Sequence, residues 1–221
     1  VRALRAKGVK QVVLAGGMRR PPSLWSIRPD WVTLINFLRF YRALGKGDDG
    51  LLRCVIEMLE AQGFSVIGAH NILPGLIAQM GVLTKRKPSA AEKADRDVAL
   101  SAALANGLRD KGQAAVVIGG MLVAVEDAKG TDAMLRRIGE MKNGRVQGLQ
   151  GVLAKTAKPQ QERRVDLPSI GPETVDNVVR AGLAGIIVSA GSSLIIDRGE
   201  VIRRADASGA FIEVCAVDSR Q

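Results

Sequence analysis

Apolar residues in this chain come as short dense runs, alternating with segments where they recur every three or four positions. Val9 to Gly17 is a brief apolar run ending in paired glycines, the pattern of a buried parallel strand. After a Pro- and Trp-containing stretch from Arg19 to Trp31, a helix-like segment runs to Leu44. Asp48 or Asp49 can cap the next helix, in which Leu51, Leu52, Val55, Ile56 and Leu59 recur at helical spacing. Gly63 ends that helix, and Phe64 to His70 reads as the following strand. Strand, helix and strand in this order form part of a doubly wound unit.

Pro74 to Pro88 reads as a loop carrying Lys85, Arg86 and Lys87, and the domain boundary is expected there. Ser89 and Glu92 form a capping box opening a helix that runs to Arg109. Two apolar runs flank Gly119-Gly120 within Ala114 to Glu126, which predicts a hairpin. Thr131 can cap a helix carrying Met134, Leu135 and Ile138, and Gly151 to Ala157 reads as a strand. A charged loop then leads to Gly171, and Pro172 suits the first turn of a helix reaching Leu183. Strands at 185–190 and 193–197, a helix from Gly199 and a strand at 211–217 complete the pattern. The fold class is α/β in two domains: a Rossmann-like domain over 1–78 and a mixed-sheet α/β domain over 79–221 that carries the catalytic residues. Because Val1 to Lys7 looks like mid-helix, the first domain is expected to be incomplete at its N-terminus.

Composition narrows the partners. Of 221 residues, 47% are hydrophobic, enough for real cores, and 24% are charged, which argues against general disorder. The formal net charge of +10 favours anionic partners such as phosphates, nucleic acid or an acidic membrane surface. Only 3% are aromatic, which counts against stacking on single-stranded bases. Cys54 and Cys215 lie far apart, and His70 is the sole histidine, so neither a zinc finger nor a disulfide framework is present. No secretory signal is visible, and the charge-free stretch Ala181 to Ile196 is shorter than the about 20 residues of a membrane span. Membrane contact would therefore be peripheral.

Candidate chemistry gathers in three places. Lys155 to Pro168 carries Lys155, Lys158, Arg163, Arg164, Gln161 and Asp166 just after a predicted strand, where open α/β sheets place ligands. Cations and amide donors there can surround a diphosphate, and Asp166 can hold a divalent metal or orient water. From spacing alone, a basic surface loop with a capping Asp is the favoured reading. Glu126, Asp127 and Asp132, close together after the hairpin, can share Mg²⁺, but taken alone the pattern is better read as a helix start, with Thr131 as its cap and Asp132 as a first-turn charge. Lys46-Gly47-Asp48-Asp49 resembles a phosphate-contacting turn but lacks P-loop spacing, and His70 reads as a structural histidine at a strand end. No G-x-S-x-G elbow or supported Cys–His pair is present, which counts against Ser or Cys hydrolase chemistry.

Taken in order, the stretches Gly47-Asp48-Asp49, Gly63-Phe64 to Ala69-His70, Ala124-Val125-Glu126 to Gly130-Thr131-Asp132, Gly151 to Lys155, Lys158-Pro159, Gln161 and Arg164 to Gly171 resemble one family. It is the UDP-2,3-diacylglucosamine pyrophosphatases of the α-proteobacterial type, the LpxI family. The resemblance spans nearly the whole chain. It implies hydrolysis of UDP-2,3-diacylglucosamine to UMP and 2,3-diacylglucosamine 1-phosphate in lipid A biosynthesis, with a divalent metal, at the cytoplasmic face of the inner membrane. The family's essential aspartate falls on Asp166 by motif match. From their chemistry, Lys155 and Lys158 join Asp166 as catalytic candidates. Gln161, Arg164, Thr131, Asp48, Asp49 and His70 are candidates for substrate contact, and Asp166, Asp132 and Glu126 for Mg²⁺ or Mn²⁺. Lys129, Asn71 and Gly17 depart from the family pattern. The expected partners are a lipid-linked UDP-sugar and the membrane surface, not nucleic acid, and a homodimer is compatible with the sequence. The competing reading is a non-catalytic module that binds a nucleotide or an acylated phospho-sugar.

Overall fold

A computed structural model describes residues 1–16, 47–142 and 148–217. The expected helix ending at Leu44, the Arg19–Trp31 stretch, Gly17 and Lys46 lie outside the described residues. The chain divides into two compact units: Val1–Leu73 with Glu162–Asp166, and Pro74–Gln161 with Leu167–Gln221.

The smaller unit contains α1 (Arg2–Ala6), β1 (Gln11–Val12), α2 (Gly47–Ala61), β2 (Ser65–Val66) and α3 (Ala69–Ile72). β1 and β2 pair in parallel, Gln11 beside Ser65 and Val12 beside Val66, with α2 between them in sequence. α2 buries Ile56 and half-buries Val55 and Leu59, as its helical spacing predicted, and also buries Cys54; the next segment buries Phe64 and Val66. Gly63 stops α2 with a φ of +86°, a conformation that favours glycine.

Two expectations here are corrected: in Val9 to Gly17 the strand covers only Gln11–Val12, and none of its described residues is buried. Phe64 to His70 is not a continuous strand; β2 covers two residues, and His70 sits on α3. The reason is local. The Asn71 side-chain oxygen accepts the Gly68 N–H at 2.9 Å, which turns the chain into a helical turn. The His70 ring lies against Gly68, where an added Cβ would come within 2.3 Å of it, so a larger residue there would have to swing the ring aside.

In the larger unit a short 3₁₀ turn (Pro74–Leu76) precedes β3 (Gly81–Val82), so the expected loop of 74–88 contains structure. Then follow α4 (Ala90–Leu108), β4 (Ala114–Ile118), β5 (Met121–Val125), α5 (Gly130–Lys142), β6 (Val152–Lys155) and β7 (Ser169–Ile170). The chain closes with α6 (Pro172–Arg180), β8 (Gly185–Ser189), β9 (Leu194–Ile195), α7 (Arg198–Ser208) and β10 (Phe211–Cys215). The capping box stands as the sequence implied, with Ser89 accepting from the Glu92 N–H and Glu92 accepting from the Ser89 N–H.

The main sheet runs β3-β10-β8-β6-β4-β5. β10, β8 and β6 are parallel neighbours, while β3, β4 and β5 join antiparallel, giving the mixed sheet expected. β7 and β9 form a separate parallel pair. One sheet face buries Leu153, Ile186, Val188, Ile212 and Val214 against α5, α6 and α7, through Met134, Leu135, Ile138, Val175, Val178 and Val201. The other buries Val152, Ala154, Ile187 and Phe211 with Ala99 of α4. Strands covered on both faces read as continuous apolar runs, which is why β6 and β8 were legible. No helix among the described residues is long and apolar enough to cross a membrane.

Candidate functional site

The antiparallel register brings three chain segments to one edge of the main sheet. Ala114 at the start of β4 lies opposite Lys155 at the end of β6, and the Glu126 N–H, just beyond β5, donates to the Ala114 carbonyl at 2.9 Å. The predicted residues Glu126, Thr131, Lys155, Lys158 and Gln161 all fall at or near this edge.

Glu126 is buried, and both of its carboxylate oxygens accept hydrogen bonds. The Thr131 hydroxyl donates to one at 2.7 Å, and the Gln113 backbone N–H donates to the other at 2.7 Å. The Asn106 side chain donates to the Glu126 carbonyl at 2.8 Å. Thr131 therefore does not cap α5, which begins one residue earlier at Gly130. A buried carboxylate needs donors, and the hydroxyl supplies one.

Lys155 is 7% exposed, and its ammonium donates to the Ser169 carbonyl at 3.1 Å. Burial pushes its pKa down, while the charges of Glu126 and Asp132 oppose that shift. Lys158 reaches the Asp110 carboxylate at 2.8 Å, and its backbone N–H donates to the Gln161 side-chain oxygen at 3.0 Å. The Gln161 amide donates to the Gln113 side-chain oxygen at 3.2 Å. Asp132 is exposed at the start of α5, and one of its oxygens accepts from Asn177 at 3.0 Å. It lines a cavity of about 490 Å³ between α5 and α6, together with Arg136, Asn177 and Arg180. Asp127 turns outward instead: the Lys129 N–H and the Arg137 guanidinium hold its carboxyl below the usual range.

The smaller unit holds the other predicted residues. Arg164 is engaged by two carboxylates, with Glu60 at 2.7 Å and Glu162 at 2.9 Å. The same guanidinium holds the Glu162 carboxyl below its ordinary value. Asp166 is half-buried, and its N–H donates to the Glu162 carbonyl at 3.0 Å. Asp48 and Asp49 belong to the first turn of α2, and His70 to α3.

Among the described residues, no group of three or more His, Cys, Asp or Glu comes together to hold a metal ion. Glu126 already serves two donors, so it does not form an open carboxylate ligand as it stands. Asp132 is different: exposed, beside a cavity, with one oxygen committed to an amide. Mg²⁺ commonly takes one or two protein carboxylates and completes its shell with substrate phosphate and water, and Asp132 suits that habit. Gln113, Asn106 and Asp110 were not singled out from sequence. Neutral amides such as Gln113 in a loop and Asn106 in the last turn of α4 carry no spacing signal, and Asp110 differs only in its positive φ of 55°.

The comparisons with known proteins agree with one another. The LpxI C-terminal domain model matches residues 79–213, and the LpxI N-terminal domain model matches residues 1–76. The chain is 44% identical over 214 residues to the UDP-2,3-diacylglucosamine pyrophosphatase LpxI of Caulobacter vibrioides, covering 96% of this chain and 76% of that protein.

Proposed function

Because this chain belongs to the LpxI family, we propose that it hydrolyses the pyrophosphate bond of UDP-2,3-diacylglucosamine, yielding UMP and 2,3-diacylglucosamine 1-phosphate for lipid A biosynthesis. The observation that carries this reading is Lys155, a buried cation at the carboxyl end of a central strand with one hydrogen bond among the described residues. A charge held at low dielectric acts strongly on an anion that reaches it, and a diphosphate brings such charge.

Phosphoryl transfer depends chiefly on positioning and on neutralising the phosphate oxygens. Lys155 and Lys158 supply positive charge from the end of β6 and the turn beyond it. Thr131 and Gln161 keep that region in shape through Glu126 and Gln113. In this reading Asp166 serves as the essential acid, an assignment that Asp166→Ala tests. Mg²⁺ or Mn²⁺ would be held in the larger unit by Asp132 with diphosphate oxygens, where it would supply charge neutralisation and a more acidic water. Glu126 acts as a brace for this region.

The substrate's acyl chains reside in a bilayer, so the proposed place of action is the cytoplasmic face of the inner membrane, bound peripherally. The net charge of +10 and the exposed Ile72 and Leu73 support this. Sedimentation with anionic vesicles that ignores ionic strength would contradict it. The hydrolase reading is tested by UMP release from UDP-2,3-diacylglucosamine with and without chelator. Release that chelator abolishes supports it; binding without release would leave a non-catalytic module.

A further inference from the structure

Gln113 stands between α4 and β4 and is held at three points. Its N–H donates to Glu126 at 2.7 Å, its carbonyl accepts the Thr156 N–H at 3.0 Å, and its side-chain oxygen accepts the Gln161 amide at 3.2 Å. Gln161 continues the path. Its side-chain oxygen accepts the Lys158 N–H at 3.0 Å, and its own N–H donates to the Lys158 carbonyl at 3.1 Å. A second amide ties the same turn, since Gln160 donates to the Gly107 carbonyl at 3.0 Å. An unbroken hydrogen-bonded path thus links the buried Glu126 carboxylate to the backbone of Lys158, through two neutral amide side chains.

Amides of this kind bring no charge to a phosphate and no titration to a reaction. What they fix is geometry. Between Lys155 and Lys158 the chain has left β6, so the strand ladder no longer sets where Lys158 goes; the Gln113–Gln161 link does so together with the Gln160–Gly107 bond. We propose that Gln113 is a positioning residue for the hydrolysis, setting the turn that follows Lys155 by holding Gln161 from the α4–β4 loop. This rests on the reading that Lys155 and Lys158 face the diphosphate. Displacing a substrate-facing group by an ångström can cost on the order of 100-fold in rate without unfolding a protein.

The test uses the full chain with Gln113→Leu, which removes the acceptor, and Gln113→Glu, which keeps it. Two quantities are read: steady-state UMP release, and the side-chain amide resonances of Gln161 by NMR. Gln113→Leu is expected to lower kcat by roughly 10- to 100-fold and to move the Gln161 amide signals toward those of a solvated glutamine. Gln113→Glu should restore both. Gln161→Leu, which also removes the acceptor of the Lys158 N–H, should fall at least as far as Gln113→Leu, and the double variant should be no worse than Gln161→Leu, because the Gln113 link is then already cut. If Gln113→Leu does not fold, Gln113→Ala is read in its place by the same two quantities. Wild-type kinetics in the leucine variants, or Gln161 signals that do not move, overturn the proposal while UMP release by the wild type still supports the hydrolase. An unaltered chain that binds UDP-2,3-diacylglucosamine yet releases no UMP sinks the hydrolase reading. The positioning role falls with it, even where the Gln161 signals respond.

Discussion

Gly112 and Glu126 approach so closely that no side chain fits between them: a Cβ on Gly112 would lie 2.6 Å from the Glu126 carbonyl oxygen and 2.8 Å from its Cβ. The same added carbon would come within 2.9 Å of the Asn106 amide nitrogen, which donates to that carbonyl. Gly112→Ala is therefore expected to push Glu126 off its two donors and to destabilise the protein by about 1–3 kcal/mol, as overpacking of a tight site does. Urea denaturation checks the stability, and the UMP-release assay should show a loss of turnover larger than the unfolded fraction explains.

Lys155→Met replaces the buried ammonium with an apolar chain of similar length. Removing a charge from low dielectric relieves its desolvation cost, so the melting temperature should hold or rise, while hydrolysis falls by at least about 100-fold. The wild type should also lose activity at alkaline pH. Burial sets the folded pKa of Lys155 below 10.5, so the cation is neutralised as pH rises past that lowered value. Folding has the opposite dependence. The unfolded chain holds this proton more tightly, so the group's contribution to stability grows as pH rises from the lowered pKa to 10.5 and is lost as pH falls. A pH–rate profile with an early basic limb, absent from the residual activity of Lys155→Met, is the expected result.

Asp166→Ala should retain the fold and lose nearly all hydrolysis. Circular dichroism and the UMP-release assay together check this, and near-wild-type turnover would remove Asp166 from the mechanism.

Asp95 is buried on α4, and its carboxylate accepts both hairpin N–H groups, Gly119 at 3.0 Å and Gly120 at 2.6 Å. Hydrogen bonds to a charged group stabilise by about 1.5–3 kcal/mol each, and Asp95→Ala is expected to cost an amount in that range because its two bonds share one carboxylate. Amide hydrogen exchange should accelerate first at Gly119 and Gly120.

Burial pushes the Cys215 thiol up to about 11, with the Glu213 charge adding to the shift. Against the ordinary value of 9.0, its thiolate fraction near neutral pH is lower by about 100-fold. Alkylation by iodoacetamide at pH 8 should be correspondingly slow and should accelerate towards pH 11. The thiol's contribution to stability is present below pH 9 and is lost as pH rises through the folded value near 11.

Local signals made much of this fold readable. The Ser89–Glu92 box, the Gly119-Gly120 turn and Pro172 in the first turn of α6 each act within a few residues, and each stands where the sequence placed it. Interactions across longer distances were hidden. β3 is two residues long and gains its identity from pairing with Glu213 and Val214, far along the chain. The short β7–β9 pair is likewise made by residues about 25 apart (Ser169 with Leu194). His70 looked like a strand end until the Asn71 side chain closed a turn over Gly68. Around the site, charged residues announced themselves by clustering, whereas Gln113 matters through what it is bonded to.

The five residues Glu162–Asp166 group with the N-terminal stretch although long segments of the larger unit flank them on both sides. The protein therefore cannot be dissected with one cut. A fragment starting at Pro74 would keep Arg164 and Glu162 while discarding Glu60, leaving the guanidinium with one of its two acidic companions. Asp166 would travel with that fragment as an orphan, stripped of the chain segments it folds beside. Co-expression of the two halves, rather than either alone, is the arrangement that preserves its surroundings.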